Sequence, residues 1–129
     1  YFSAVKSVFY FDDLSTKNVM VHEGQFTGVV DLDSMEYGDP LEGVGRIKAS
    51  WFGTPYGDFY ANTVENELNL SPEQRKMVTV YGILNHIYWL SEKGIQFNQN
   101  TSEEINPAQV EQDRKSIELL LAELQKQEA

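Results

Sequence analysis

Three residues carry the chemistry that this sequence suggests. Asp13 stands five residues before Asn18, and Asp31 closes the apolar run Val29-Val30 with a carboxylate. Carboxylate and amide oxygens are hard ligands, so Asn18 and Asp31 together suit Mg2+. The remaining carboxylate, Asp13, can orient or deprotonate a hydroxyl. A metal beside such a carboxylate suits phosphoryl transfer, where the protein mainly positions groups and neutralises charge. Taken singly, each residue is also an ordinary turn, cap or strand-end residue.

The flanking elements must bring these residues together. Ser7 to Phe11, "SVFYF", is rich in β-formers and predicts a short buried strand. "DDLSTK" follows as a polar loop. "NVMVHEGQFTGVVDLD" predicts a hairpin that turns at Glu23-Gly24. The end of a hairpin's second strand lies near the start of its first, which brings Asp31 close to Asn18. Asp13, in the loop just ahead, can face the same space. Gly38-Asp39-Pro40 marks "DSMEYGDPLEG" as a loop.

Helical patterns take over after this. "GVGRIKASWF" can begin a helix, although Gly43 and Gly45 weaken it. "DFYANTVENEL" has helical spacing. Ser71-Pro72-Glu73-Gln74 is a capping box with Pro at the first helical position. The helix it opens presents Met77, Val80, Tyr81, Leu84, Tyr88 and Trp89 on one face and stops at Gly94. Tyr56 and Tyr60 also read as core residues. Gln96 to Glu104 is a mostly polar loop. Asn106-Pro107 then opens a last helix with Val110, Ile117, Leu120, Leu121 and Leu124 on its face. Strands followed by helices predict an α+β fold in one domain-sized unit.

Composition narrows the function. The 129 residues carry 20 acids and 10 bases, a formal charge of −10. Such a chain repels phosphate backbones, so nucleic-acid binding is disfavoured. With no Cys, disulfides and thiolate chemistry are excluded. No apolar run is long enough to cross a bilayer, and the expected setting is cytoplasmic, away from membranes. His22 reads as solvent-facing and His86 as a packed helix residue, in no zinc-type spacing.

The series as a whole resembles the aminoglycoside phosphotransferase and choline kinase-like family, which has a protein-kinase-like fold. The family's pattern is H-G-D-x-x-x-x-N, a strand, a turn, a strand ending in I-D, then G-D-P. Here these are Phe11-Asp12-Asp13 through Asn18, Val19-Met20-Val21, Glu23-Gly24, Val29-Val30-Asp31 and Gly38-Asp39-Pro40. The resemblance implies that Asp13 is the catalytic base or hydroxyl-orienting group. It implies that Asn18 and Asp31 bind the Mg2+ that bridges the phosphates of ATP, the co-substrate. Asp33 could reach a second metal or a cationic substrate, and Asp39 would hold the loop behind the metal site. Three positions depart from the pattern: Phe11 replaces His, Asp12 replaces Gly, and Gly43 with Glu42 beside it replaces a later Asp. These departures bear on how the loop is ordered.

A Gly-rich phosphate loop and a strand Lys would normally stand upstream of Asp13, where this chain has 12 residues. Residues 1–129 therefore read as part of the C-terminal, catalytic and substrate-binding lobe of such an enzyme, without the nucleotide lobe. Two functions remain open. One is a phosphotransferase using ATP and a small acceptor, with five acids and no bases from Asp31 to Glu42 favouring a cationic acceptor; the activity is expected of the parent protein, and this piece alone is expected to be inactive or a poor catalyst. The other is a non-catalytic kinase-like remnant that binds a partner or forms a homo-oligomer.

Overall fold

The computed structural model describes residues 1–14, 16–93 and 104–128. Among the described residues, four short strands precede four helices. The strands are β1 (Val8–Phe11), β2 (Val19–His22), β3 (Gln25–Val29) and β4 (Met35–Gly38). The helices are α1 (Leu41–Trp51), α2 (Gly57–Glu67), α3 (Pro72–Ser91) and α4 (Pro107–Glu128). The fold is therefore α+β, with two small antiparallel sheets and four helices.

β2 and β3 form the predicted hairpin, with Val19 opposite Val29 and His22 opposite Gln25. Its tip, Glu23-Gly24, has positive φ at both residues (49° and 75°). That matches the twist of the flanking strands, and Gly adopts it without a steric penalty.

The second sheet corrects two expectations. "DSMEYGDPLEG" is not all loop: Leu32–Ser34 forms a 3-10 turn, and β4 then pairs along the whole of β1, Val8 opposite Gly38 and Phe11 opposite Met35. Its alternation of Met35 and Tyr37 with polar residues is too brief to stand out beside Gly-Asp-Pro. β1 is a strand but not a buried one, since Phe9 is 74% exposed. Its sheet has only two strands among the described residues, and both Phe9 and its partner Tyr37 are exposed. Phe9 instead packs across the strand pair on Tyr37, ring centroids 4.9 Å apart.

The helices pack in sequence, α1 on α2 and α3, and α3 on α4. Leu41, Val44, Leu70, Val78 and Tyr81 form the core between them, with Tyr1, Val64 and Met77 against it. α3 starts at the predicted capping box, Ser71 Oγ accepting from Gln74 N while Gln74 Oε1 accepts from Ser71 N. Its buried face is rotated from the predicted one. Val78, Thr79, Ile83 and His86 are buried, whereas Leu84 and Tyr88 are exposed. α3 lies between two helices, so it buries a wide sector in which Thr79, Gly82 and His86 break the apolar period. Tyr56 is likewise exposed, not core.

α4 begins as expected, with Asn106 Oδ1 accepting from Ala108 N at 3.0 Å. Leu120 is fully buried, but Leu121 faces out. The predicted stop at Gly94 and most of the polar loop after it, through residue 103, lie outside the described residues. Among the described residues, no helix is long and apolar enough to cross a membrane.

The two glycines that weakened α1 in the sequence lie where it meets its neighbours most closely. A Cβ on Gly45 would sit 2.3 Å from the Cβ of Tyr81 on α3. A Cβ on Gly43 would sit 3.1 Å from the Phe11 carbonyl and 3.2 Å from the Tyr10 ring. Tertiary contact outweighs helix propensity here: α1 approaches both α3 and the end of β1 because these side chains are missing.

Candidate active site

β1 delivers Asp12 and Asp13 at its end. Asp12 N donates to Ser34 O at 2.9 Å, which extends the β1–β4 ladder by one bond. That bond ties the start of the polar loop to the turn carrying Asp31 and Asp33. Three further contacts hold the loop. Asn18 Nδ2 donates to the Asp13 carbonyl at 3.0 Å, Tyr60 Oη of α2 donates to the Leu14 carbonyl at 3.0 Å, and Arg46 of α1 pairs through Nη1 with the Asp12 carboxylate.

The Asp13 side chain is 13% exposed, and its Oδ2 lies 3.3 Å from Lys17 Nζ and 3.8 Å from Arg46 Nη2. Asn18 is 3% exposed. Its carbonyl accepts from Val30 N at 2.9 Å, so the hairpin pairing runs one step past Val19 and Val29. Lys17 and Asp31 are the residues that follow this bond on either side.

Asp31 has φ 67° and ψ 52°, a left-handed conformation uncommon for a non-glycine residue. Such a conformation is held by its surroundings, here the end of the hairpin on one side and the 3-10 turn on the other. Its carboxyl pKa is raised. The first cause is a hydrogen bond with the Asp33 carboxyl, followed by the Asp33 charge, while Lys17 opposes the rise. Two carboxyls this close cannot both ionise without repulsion, and a hard cation would relieve it.

The sequence-predicted residues thus fall into two places. Asp13, Asn18, Asp31 and Asp33 gather around the base of the hairpin. Asp39 does not join them. Its Oδ2 accepts from Tyr1 Oη at 2.7 Å and Tyr81 Oη at 3.0 Å, and its Oδ1 accepts from Leu41 N at 3.0 Å. Burial, then the Asp39 hydrogen bond, pushes Tyr81 up to about 12. Asp39 therefore locks the first turn of α1 against α3.

The donors around the hairpin base suit Mg2+. Among the described residues, no three acidic, Cys or His side chains converge into a full metal cage. Mg2+ does not need one, because it is usually held by one or two carboxylates together with phosphate and water oxygens. The amide nitrogen of Asn18 is engaged by the Asp13 carbonyl, so what it can offer is its oxygen.

Sequence reasoning missed Arg46 and Tyr60, which hold the loop from two helices. Their signal is weak: each is one polar residue on a helix whose register against the loop is set only by the fold. The departures from the family pattern now have partners. Asp12 is neutralised by Arg46. The space beside Gly43 holds the Tyr10 ring, whose hydroxyl donates to Glu42 Oε2 at 2.8 Å. A cleft of about 410 Å3 opens next to this group, lined by Asp12, Glu36, Glu42, Arg46, Leu84 and Tyr88 among others. A larger cleft of about 560 Å3 beside Tyr1 and Leu70 shares only Asp39 with the predicted residues.

Residues 3–77 match the family model described as phosphotransferase enzyme family. The match takes in the strands, the polar loop, the hairpin, α1, α2 and the start of α3. That is the class of kinase-type transferases. Covering more than half of the 129 residues, the match shows that the chain belongs to the phosphotransferase enzyme family, as its resemblance to the aminoglycoside phosphotransferases implied. No curated protein and no solved structure matches the chain.

Proposed function

We propose that this chain is the catalytic and substrate-side part of an ATP-dependent kinase that phosphorylates a hydroxyl of a small cationic molecule, such as an amino alcohol or amino sugar. The observation that carries this reading is the gathering of Asp13, Asn18, Asp31 and Asp33 at the hairpin base, within a chain of the phosphotransferase family. Asn18 and Asp31 would hold Mg2+, with Asp33 beside them. Bound there, the metal would neutralise charge on the nucleotide phosphates. Asp13 orients the acceptor hydroxyl and takes its proton as the oxygen bonds to the γ-phosphorus. The bond from that phosphorus to the bridging oxygen of ADP breaks, and ADP leaves. The cleft beside the site has three acids, Asp12, Glu36 and Glu42, against the single base Arg46, which suits an amine-bearing acceptor.

Calorimetry with Mg2+ and ATP tests the metal half directly. The unsubstituted chain is expected to bind, and Asp31→Ala to bind at least about tenfold more weakly, about 1.4 kcal/mol. Equal heats from both proteins would remove Asp31 from the metal site.

One observation favours the second reading, a binding or oligomerisation module. Phe9, Tyr37, Val21 and Phe26 are all exposed on the strands. Phe9 and Tyr37 form one exposed aromatic pair on the β1–β4 sheet, and Val21 and Phe26 a cross-strand pair on the hairpin, and apolar pairs of this size favour a cover. If a second copy supplies it, Phe9→Ser is expected to convert a dimer to a monomer in sedimentation. A monomeric unsubstituted chain at all concentrations would count against self-association.

A further inference from the structure

Lys17 brings a positive charge from the polar loop to the candidate site. Its ammonium lies 3.3 Å from Asp13 Oδ2. Asn18 O accepts from Val30 N at 2.9 Å, so Lys17 and Asp31, each the next residue along its strand end, flank the same backbone bond. The Lys17 charge also acts on the Asp31 carboxyl, against the rise caused by Asp33. Arg46, the other cation beside Asp13, differs in kind because it is anchored on α1 and paired with Asp12. Lys17 has a 69% exposed side chain and a flexible stem, so it can leave without disturbing packing.

We propose that Lys17 is a built-in counter-ion of the metal site, lying between Asp13 and the Asp31–Asp33 pair, and that a divalent cation must displace it to bind. This rests on the reading of Asp31 as a metal ligand. The ammonium partly neutralises the carboxylates of the unliganded site and competes with the metal for them. Metal affinity in the absence of nucleotide is thereby set below what the carboxylates alone would give.

The test uses Mn2+ as probe, with free ion measured by electron paramagnetic resonance and no nucleotide present. Lys17→Met is expected to bind Mn2+ about three- to tenfold more tightly, the scale of one partly screened charge pair. Lys17→Arg is expected to restore the original affinity. Lys6→Met, which makes the same change in net charge on the segment before β1, is expected to leave it unchanged. Lys17→Met binding no more tightly than the unsubstituted chain, or Lys6→Met tightening it equally, overturns the proposal. Asp31→Asn separates the two levels of failure. If it does not weaken Mn2+ binding, the metal-site reading falls and the Lys17 proposal falls with it. If it does weaken binding while Lys17→Met changes nothing, only the Lys17 proposal falls.

Discussion

Asp13→Ala, made in the parent kinase of which this chain is the proposed catalytic part, is expected to lower kcat for ADP release by about 10²- to 10⁴-fold, the usual contribution of a positioned proton acceptor. KM for the nucleotide should stay within a few-fold, because Asp13 is assigned to the hydroxyl and not to the metal. The neighbouring carboxylate provides the control. Asp12 is tied up on two sides, its N–H on the Ser34 carbonyl and its carboxylate on Arg46. Asp12→Asn should therefore affect the loop's order more than its proton chemistry, with a smaller fall in kcat. The comparison is made by coupled ADP-release kinetics against a panel of amino alcohols and amino sugars, with the unsubstituted protein as reference. If Asp13→Ala keeps within tenfold of that reference, or if Asp12→Asn is the more damaging change, Asp13 is not the base.

The local parts of the candidate site were legible in the sequence. The hairpin turn at Glu23-Gly24 needs only two residues with positive φ. The capping box at Ser71 needs only four. The register at the hairpin base was not legible, because Thr27 is an extra residue between the Val21–Phe26 and Met20–Gly28 pairs, and this bulge is what sets Asn18 against Val30, next to Asp31. Features set by distant packing were not legible. β4 is four residues long and earns its strand geometry by pairing with β1, 24 or more residues upstream. Arg46 and Tyr60 reach the loop from α1 and α2, contacts 34 and 46 residues apart. The buried face of α3 was misread because Thr79 and His86 are polar but find a partner in the interior through Oγ1 and Nδ1. Thr79 Oγ1 donates to Arg75 O at 3.2 Å, and His86 Nδ1 faces Asp113 Oδ1 at 3.3 Å. Hydrophobic periodicity does not register a polar side chain that finds its partner inside the fold.

These long-range contacts also explain how the loop can do without the family's usual His and Gly. Phe11 and Asp12 cannot supply the same hydrogen bonds, yet the loop backbone is held by Asn18 at Asp13, by Tyr60 at Leu14 and by Ser34 at Asp12. The Arg46–Asp12 pair adds a tie from α1, which is itself locked by Asp39 to Tyr81 of α3. Order at Asp13 therefore depends on how closely α1 sits to α3.

That dependence makes Gly45→Ala the most informative change for stability. In an ordinary helix, Gly→Ala stabilises by about 0.5–1 kcal/mol. At Gly45 the new Cβ would lie 2.3 Å from Tyr81 Cβ, and both atoms are fixed by helix backbones. Carbon atoms rest about 3.5–4.0 Å apart, so the helices must part by more than about 1 Å. Overpacking of this kind typically costs about 1–3 kcal/mol, and the rigid partner puts Gly45→Ala at about 3 kcal/mol. Denaturant unfolding should show a lower midpoint at unchanged slope. Gly82→Ala, on the facing helix, is the matched control. Its Cβ would meet Gly45 O at 3.6 Å and Leu120 Cδ1 at 3.7 Å, both ordinary contacts. It is expected to be neutral or to stabilise by up to about 1 kcal/mol. Parting the helices also draws Tyr81 Oη away from Asp39, now 3.0 Å from it, and so loosens the first turn of α1. Gly45→Ala should then disturb the loop amides of Asp13 and Leu14 in hydrogen exchange, while Gly82→Ala leaves them protected. Equal midpoints for the two variants would mean that α1 and α3 are not packed as closely as these distances require.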